Sequence, residues 1–409
     1  MQKRNQTLMH VGLSAAFLAY AGTARADEKE LLEKIKQLEN RVAELEGRGG
    51  TNVVAKDDIM SKSLGFLGNV ELSGFASASY LYNFNRANNA GRTFDLNHNE
   101  FALNKFKLTL EKPVEWSGEN WDAGFRADLI FGQDATVLQS AGLNLGTHGD
   151  IEQLYATVNV PVGRGLQVSA GKWVTLMGVE VIEETANPNW SEGNQFLFVE
   201  NFTGTGAQIA YKWSDKVDTQ FRVFNGWDVV KDNNGGLSYM GRIGVAPDDK
   251  TLVAVVGYGG SEQAGNTRAW RKGVNLVVNR KVTDKLTLWA QGDYGQEDAN
   301  AALAKPTEDA HWWAAGLWLS YDFTEKFGIA VRGDFLRDED GARTSGAPFT
   351  APLAANTGND LSSATITLNI RPAKNLQVRP EFRWDRSSED VFGGRDDQLS
   401  AGVGVAYLF

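Results

Sequence analysis

The chain of 409 residues contains no cysteine, only 4 histidines and only 9 prolines. Without cysteine there is no disulfide scaffold and no thiolate-bound zinc or iron–sulfur cluster. Four histidines (His10, His98, His148, His311) are too few for a histidine-rich metal centre, so no metal or other cofactor is expected. Neither Gly-x-Ser-x-Gly nor His-x-x-x-His occurs, and an enzyme is not expected. Mean hydropathy is negative, and the single long apolar run lies within the first two dozen residues. The rest of the chain therefore encodes no membrane-spanning helix. A transmembrane β-barrel stays open, because alternation hides its apolar residues from any hydropathy window.

Lys3 and Arg4 precede an apolar stretch from Leu8 to Ala21 and then Ala24-Arg25-Ala26. This is the pattern of an export signal over residues 1–26, cleaved after Ala26. Its removal leaves 38 basic against 51 acidic residues. So acidic a protein is a poor partner for nucleic acid. Over 27–47, Leu31, Ile35, Leu38, Val42 and Leu45 form an a/d seam between charged residues, which Gly47-Arg48-Gly49-Gly50 ends. A helix of about 20 residues is marginal alone, so this coiled coil is expected to form where a homotrimer holds its copies together in the periplasm. Residues 48–68 read as linker, and 69–409 as one domain.

That domain alternates with a period of two. Trp121, Ala123, Phe125, Ala127, Leu129 and Phe131 interleave with Asp122, Gly124, Arg126, Asp128 and Ile130. Leu376, Val378, Pro380, Phe382 and Trp384 interleave in the same way with Gln377, Arg379, Glu381, Arg383 and Asp385. One face must meet lipid and the other water. Sixteen such segments follow one another, joined alternately by long and short connections. That parity fits an all-β, 16-stranded antiparallel barrel with short periplasmic turns and long outer loops. Aromatics at strand ends, among them Tyr80, Trp121, Trp213, Tyr258, Tyr294, Tyr321 and Trp384, are expected to form two interfacial girdles against outer-membrane lipid. The chain ends Tyr407-Leu408-Phe409, an aromatic end on an outward-alternating strand that is expected to serve membrane assembly.

A barrel of about sixteen strands leaves an aqueous lumen. Its wall is expected to carry Lys105, Lys107, Arg126, Arg222, Arg242, Arg332, Arg379 and Arg383 against Glu71, Asp122, Asp128, Asp218, Asp293, Asp334, Glu381 and Asp385. Eight charges of each sign suit a wet pore or a bracing ladder better than an apolar filling. The longest outer loop, about 174–204, holds Glu180, Glu183, Glu184, Glu192 and Glu200 and no lysine or arginine. Folded into the lumen, it would set acids across the aperture from Arg332, Arg379 and Arg383, giving a transverse field and a weak cation preference.

Several segments carry a family likeness. They are Ser73-Gly74-Phe75-Ala76-Ser77-Ala78-Ser79-Tyr80, Gly124-Phe125-Arg126-Ala127-Asp128-Leu129, Asn187-Pro188-Asn189-Trp190-Ser191, Phe224-Asn225-Gly226-Trp227-Asp228 and Arg379-Pro380-Glu381-Phe382-Arg383. From about Ser73 to Phe409 the chain resembles the outer-membrane β-barrel porins of the OmpL-like family. The resemblance implies a passive diffusion channel for small hydrophilic solutes and ions, trimeric, with no catalytic residues. It also implies a basic residue after the loop serine, where this chain has Glu192. The coiled-coil prefix lies outside the match and resembles that of some anion-selective porins. Two other readings fit the residues. One is a solute-specific channel, for sugars or anions, using Trp289, Trp312 or Trp318 as stacking platforms. The other is a tethering or surface-binding barrel whose coil contacts the cell wall.

Overall fold

In the computed structural model, the described residues are 69–409 apart from 144, 147, 301, 302, 304 and 346–357. The expected export signal, the coiled coil with its seam from Leu31 to Leu45, and the linker all lie outside the described residues.

Sixteen antiparallel strands close on themselves. They are β1 (Glu71–Asn83), β2 (Glu100–Lys112), β3 (Asp122–Phe131), β4 (Gly149–Val160), β5 (Leu166–Val174), β6 (Thr203–Ser214), β7 (Val217–Phe224) and β8 (Ser238–Asp248). The second half runs β9 (Thr251–Ser261), β10 (Trp270–Lys281), β11 (Leu286–Glu297), β12 (Ala310–Thr324), β13 (Phe327–Asp338), β14 (Asn359–Ala373), β15 (Leu376–Ser387) and β16 (Asp397–Leu408). Each strand pairs with its sequence neighbours, and β1 closes on β16 from Phe75 opposite Leu408 to Asn83 opposite Ser400. Closure leaves no edge strand, so every ladder hydrogen bond is met within the sheet, as lipid requires.

The short connections follow from turn chemistry. Thr283 Oγ1 accepts from the backbone N–H of Lys285 and Leu286, and Thr324 Oγ1 from those of Lys326 and Phe327. Such hydroxyl-capped turns reverse a strand within a few residues. On the outer face Phe101 and Leu103 are 81% and 76% exposed, joined by Trp121, Trp213, Leu317 and Tyr407. That apolar surface is what a lipid bilayer covers. Tyr258 departs from the expected girdle. It points inward, is buried, and packs on Trp227 at 5.2 Å.

Candidate functional site: the third loop inside the barrel

The long connection from β5 to β6 turns into the barrel, and its second half, residues 189–202, is buried throughout. It ends in a one-turn helix, α2 (Asn194–Phe198); the second outer loop carries another, α1 (Asp134–Leu138). A loop can be buried only if its backbone polar groups find partners. Those partners come from the charged wall, and they differ on its two sides.

On the side of β2–β4 the loop is held mainly by ion pairs, with one main-chain bond from Lys105 Nζ to the Ile182 carbonyl at 2.8 Å. Lys105 Nζ lies 2.8 Å from Glu184 Oε2 and 3.5 Å from Asp134 Oδ2. Lys107 Nζ contacts Glu183, with Glu152 at 2.7 Å and Asp128 at 3.0 Å. These three carboxylates lie close enough together to hold a metal ion, but the lysine ammonium occupies the space between them. Arg126 reaches Asp128 at 3.1 Å and Glu111 at 2.9 Å. Burial raises the Glu183 carboxyl, but the Lys107 ammonium, a hydrogen bond with Glu152 and the Lys105 charge together bring it down to about 2.

On the side of β13–β15 the wall grips the main chain of the loop instead. Successive inward residues of β15, two apart, each find a different part of the segment 184–192. Gln377 Nε2 donates to the carbonyl of Thr185 at 3.3 Å. The Arg379 guanidinium donates to the carbonyls of Glu184, Asn187 and Pro188 at 2.5, 2.9 and 2.5 Å. Glu381 accepts from the backbone N–H of Trp190 at 2.7 Å and of Ser191 at 3.2 Å. Arg383 donates to the carbonyl of Glu192 at 2.5 Å and pairs with Asp385 at 2.7 Å. From β13, Arg332 contacts the carbonyl of Ser191 and lies 2.7 Å from Glu180 and 3.1 Å from Asp334. The side-chain spacing of a strand thus serves as a comb that an extended segment lies along. The wall leaves room for the loop's indole: a Cβ on Gly404 would fall inside the Trp190 ring.

Of the charged wall residues, Lys105, Lys107, Asp128, Arg222, Asp293, Arg332, Asp334, Arg379, Arg383 and Asp385 are buried, whereas Glu71 is exposed. Arg222 bonds Gln208 and the carbonyl of Val174 and lies over the Trp173 ring, while Arg242 pairs with Asp218. Asp385 also takes Arg92 from the first outer loop at 2.7 Å. Tyr407 and Phe409 lie on the outer face, exposed, where β16 meets β1.

Two expectations need correction. Loop acids and wall bases do not oppose one another across open water. Arg332 and Arg383 are 1% exposed and touch the loop directly, so their fields end in contact pairs. Nor is the lumen wet along its whole length. Ile130, Trp312, Ala314, Leu336 and Leu361 from the wall form one apolar cluster with Phe94, Ala135, Val137, Leu138, Phe392 and the loop residues Ile182, Phe196–Val199 and Phe202. This cluster lies at the ends of its strands that lead into the long loops. Bulky side chains that neither water nor lipid would solvate there stabilise one another by burial. Trp312 and Trp318 belong to the buried interior; Trp289 lines a cavity.

Among the described residues, Glu192 and Glu200 of the loop have no cation in contact. Burial pushes Glu192 and Glu200 well above the ordinary carboxylate value; Asp293 adds to the rise at Glu200, whose Oε1 takes one hydrogen bond from Gln291 at 2.7 Å. Beneath the loop, in the inner half, lie two spaces bordered by described residues. One of about 590 Å³ is bounded by Lys107, Thr109, Arg126, Tyr155, Glu183 and Phe202. The other, about 180 Å³, lies against β11, β12, β14 and β15. Thr185 and Ala186 border both, so the loop segment is the partition between them.

The family described as "Putative beta-barrel porin-2, OmpL-like" matches residues 69–409. No curated protein matches the chain in sequence. Among solved structures it is similar to the outer membrane channel DcaP of Acinetobacter baumannii, at 14% identity and a TM-score of 0.57, covering 83% of this chain and 97% of that one. An anion-selective porin from Comamonas acidovorans is 10% identical with a TM-score of 0.56, covering 83% and 99%. The trimer form of OmpT, an outer membrane protein of Vibrio cholerae, is 10% identical with a TM-score of 0.54, again covering 83% and 99%. Identities this low speak for the shared barrel alone, whereas the family match runs from the first strand to the last residue. The chain therefore belongs to the OmpL-like β-barrel porins and is a porin-like barrel of the bacterial outer membrane.

Proposed function

We propose that the protein is a narrow passive channel for small hydrophilic solutes and ions, with the third loop as its constriction. The observation that carries this reading is the loop itself: a closed barrel large enough for a lumen is crossed by a segment that charged wall residues hold on both sides. In this reading Lys105, Lys107, Arg126, Asp128, Arg222, Arg242, Arg332, Asp334, Arg379, Glu381, Arg383 and Asp385 fix the constriction's shape. Glu180, Glu183, Glu184 and Glu192 are the loop's own share of the fastening. No reaction is carried out; solutes pass unchanged down their gradients.

The leading 26 residues export the chain, residues 27–47 form a periplasmic coil, and the barrel works as a homotrimer. The trimer form recorded for a barrel of the same architecture supports that assembly. Tyr407 and Phe409 supply the outward aromatic end used in membrane assembly. The apolar cluster inside the barrel favours a second reading, in which the channel opens only when the loops move.

The test is single-channel recording of the folded full-length chain in a planar bilayer under a salt gradient. Small stepwise openings, grouped in threes, are expected. Silence from chain shown to be inserted would sink the open-channel reading and favour the gated or tethering barrel.

A further inference from the structure

The smaller inner cavity differs in chemistry from its neighbour. Its wall side chains are Trp289, Ser320, Asn369, Arg371, Gln377 and Arg379, and its roof is the loop main chain at 185–188. Among the described residues no carboxylate borders it, although acids outnumber bases in the chain as a whole. Arg379 gives both terminal nitrogens to loop carbonyls, and its Nε is buried with no partner among the described residues. Its charge is therefore met by carbonyl dipoles and by no contacting acid. Arg371 is half-exposed and gives Nη1 to Asp322 at 2.9 Å, leaving its remaining donors toward solvent. Asn369 and Gln377 each spend an amide N–H on the loop, at 3.2 and 3.3 Å, which leaves their carbonyl oxygens as acceptors.

An aromatic side chain, two guanidinium groups and a rim of neutral donors and acceptors describe a particular kind of guest. An apolar ring face packs on an indole, hydroxyls exchange hydrogen bonds with amides and Ser320, and a carboxylate takes the guanidinium charge. We propose that this crevice is a binding subsite for a monosaccharide acid, with its ring on Trp289 and its carboxylate on Arg371 beside Arg379. The larger cavity lacks this chemistry, since Glu180 and Glu183 border it and no tryptophan does among the described residues. Solute leaving the constriction would pause at this subsite on the periplasmic side of the loop. The proposal deepens the channel reading and depends on it only for the route by which ligand arrives.

The test is equilibrium binding of D-glucuronate to the detergent-folded full-length protein, followed by tryptophan fluorescence and calorimetry, which need no conduction. Saturable binding is expected, tighter for glucuronate than for glucose and weakest for acetate. R371Q should weaken glucuronate by roughly 10- to 100-fold, the range of a lost charge-assisted hydrogen bond, and leave glucose almost unchanged. W289A should weaken both sugars by about tenfold. Y155F, on the other side of the partition, should change neither. Retained heat-modifiable mobility on gels shows that each variant still folds. No saturable glucuronate binding by folded protein, equal binding of glucose and glucuronate, or binding indifferent to both R371Q and W289A would each overturn the subsite. A protein that binds but does not conduct would leave the subsite standing and remove the open-channel reading alone.

Discussion

The two sides of the lumen fasten the same loop by different chemistry. Toward β2–β4 the contacts mainly join charged side chains, Lys105 to Glu184 and Lys107 to Glu183, with one bond from Lys105 to the Ile182 carbonyl. Toward β13–β15 the wall bonds the loop's backbone, through Arg379, Glu381, Arg383 and Arg332. The first kind of hold depends on protonation state and on which side chains the loop carries. The second depends on the loop's path, because carbonyls and amides are present in any sequence. The β15 side should thus set where the loop lies, and the β2 side how firmly it stays under changing conditions.

The largest effect is expected from removing a buried cation that serves both loop and wall. Arg332 is buried between Glu180 and Asp334, so R332M strands two buried carboxylates, a loss of ~3–5 kcal/mol. Loop 3 should then become cleavable by protease in the folded barrel, and single-channel steps should grow. A protected loop in R332M would mean that the main-chain bonds hold without it.

Next comes the backbone grip. E381A deprives the Trp190 and Ser191 N–H groups of an ionised acceptor, worth roughly 1.5–3 kcal/mol. Conductance should rise while the barrel's thermal unfolding stays unchanged. G404A acts from beneath the same segment, since its new methyl occupies the place of the Trp190 ring; overpacking of this kind costs roughly 1–3 kcal/mol. Tryptophan fluorescence should shift toward that of a wetter indole, and an unshifted spectrum would show that the ring is not seated there.

Acidification separates the two sides. The seated Glu183 titrates at about 2 against an ordinary 4.5. Its contribution to seating is fully present above pH 4.5, declines as pH falls through that window, and is gone below about 2. Channel steps measured from pH 5 down to pH 2 should therefore enlarge, and E183Q should show the low-pH behaviour already at pH 5. If E183Q and wild type keep different step sizes even at pH 2, Glu183 acts through something other than its charge.

The smallest effect has the opposite sign. Glu200 is raised in the seated loop, so it favours seating at low pH and opposes it increasingly as pH rises above 4.5. E200Q, which mimics the protonated acid, should protect loop 3 from protease more than wild type at pH 7 and equally at pH 4. Greater cleavage of E200Q at pH 7 would show the carboxylate to be a needed partner.

Much of the barrel was legible because its two faces meet different solvents. In β3, Arg126 and Asp128 are separated from Phe125 and Ala127 by the pleat alone, and the structure keeps that division. The same holds for Arg379, Glu381 and Arg383 in β15. Where both faces are apolar, alternation loses its meaning. Trp312, Ala314 and Trp318 of β12 point inward while Trp313, Ala315 and Leu317 point out, and nothing in their chemistry distinguishes the two sets. Ile130, standing where an inward polar residue would be expected, is the visible sign of the apolar cluster inside the barrel. The ion pairs of Lys105 and Lys107 with the loop join residues almost 80 positions apart. The backbone grip leaves still less trace, since a carbonyl has no letter in the sequence.

The measurement that tests the account most directly is the single-channel conductance of the full-length chain against R379A/E381A in the same bilayer and salt. Loop 3 held by its backbone on the β15 side predicts small steps for the wild type and several-fold larger steps for the double variant, with the barrel still heat-modifiable. Equal step sizes from two folded proteins would contradict the account, because the segment 184–192 would then not set the aperture.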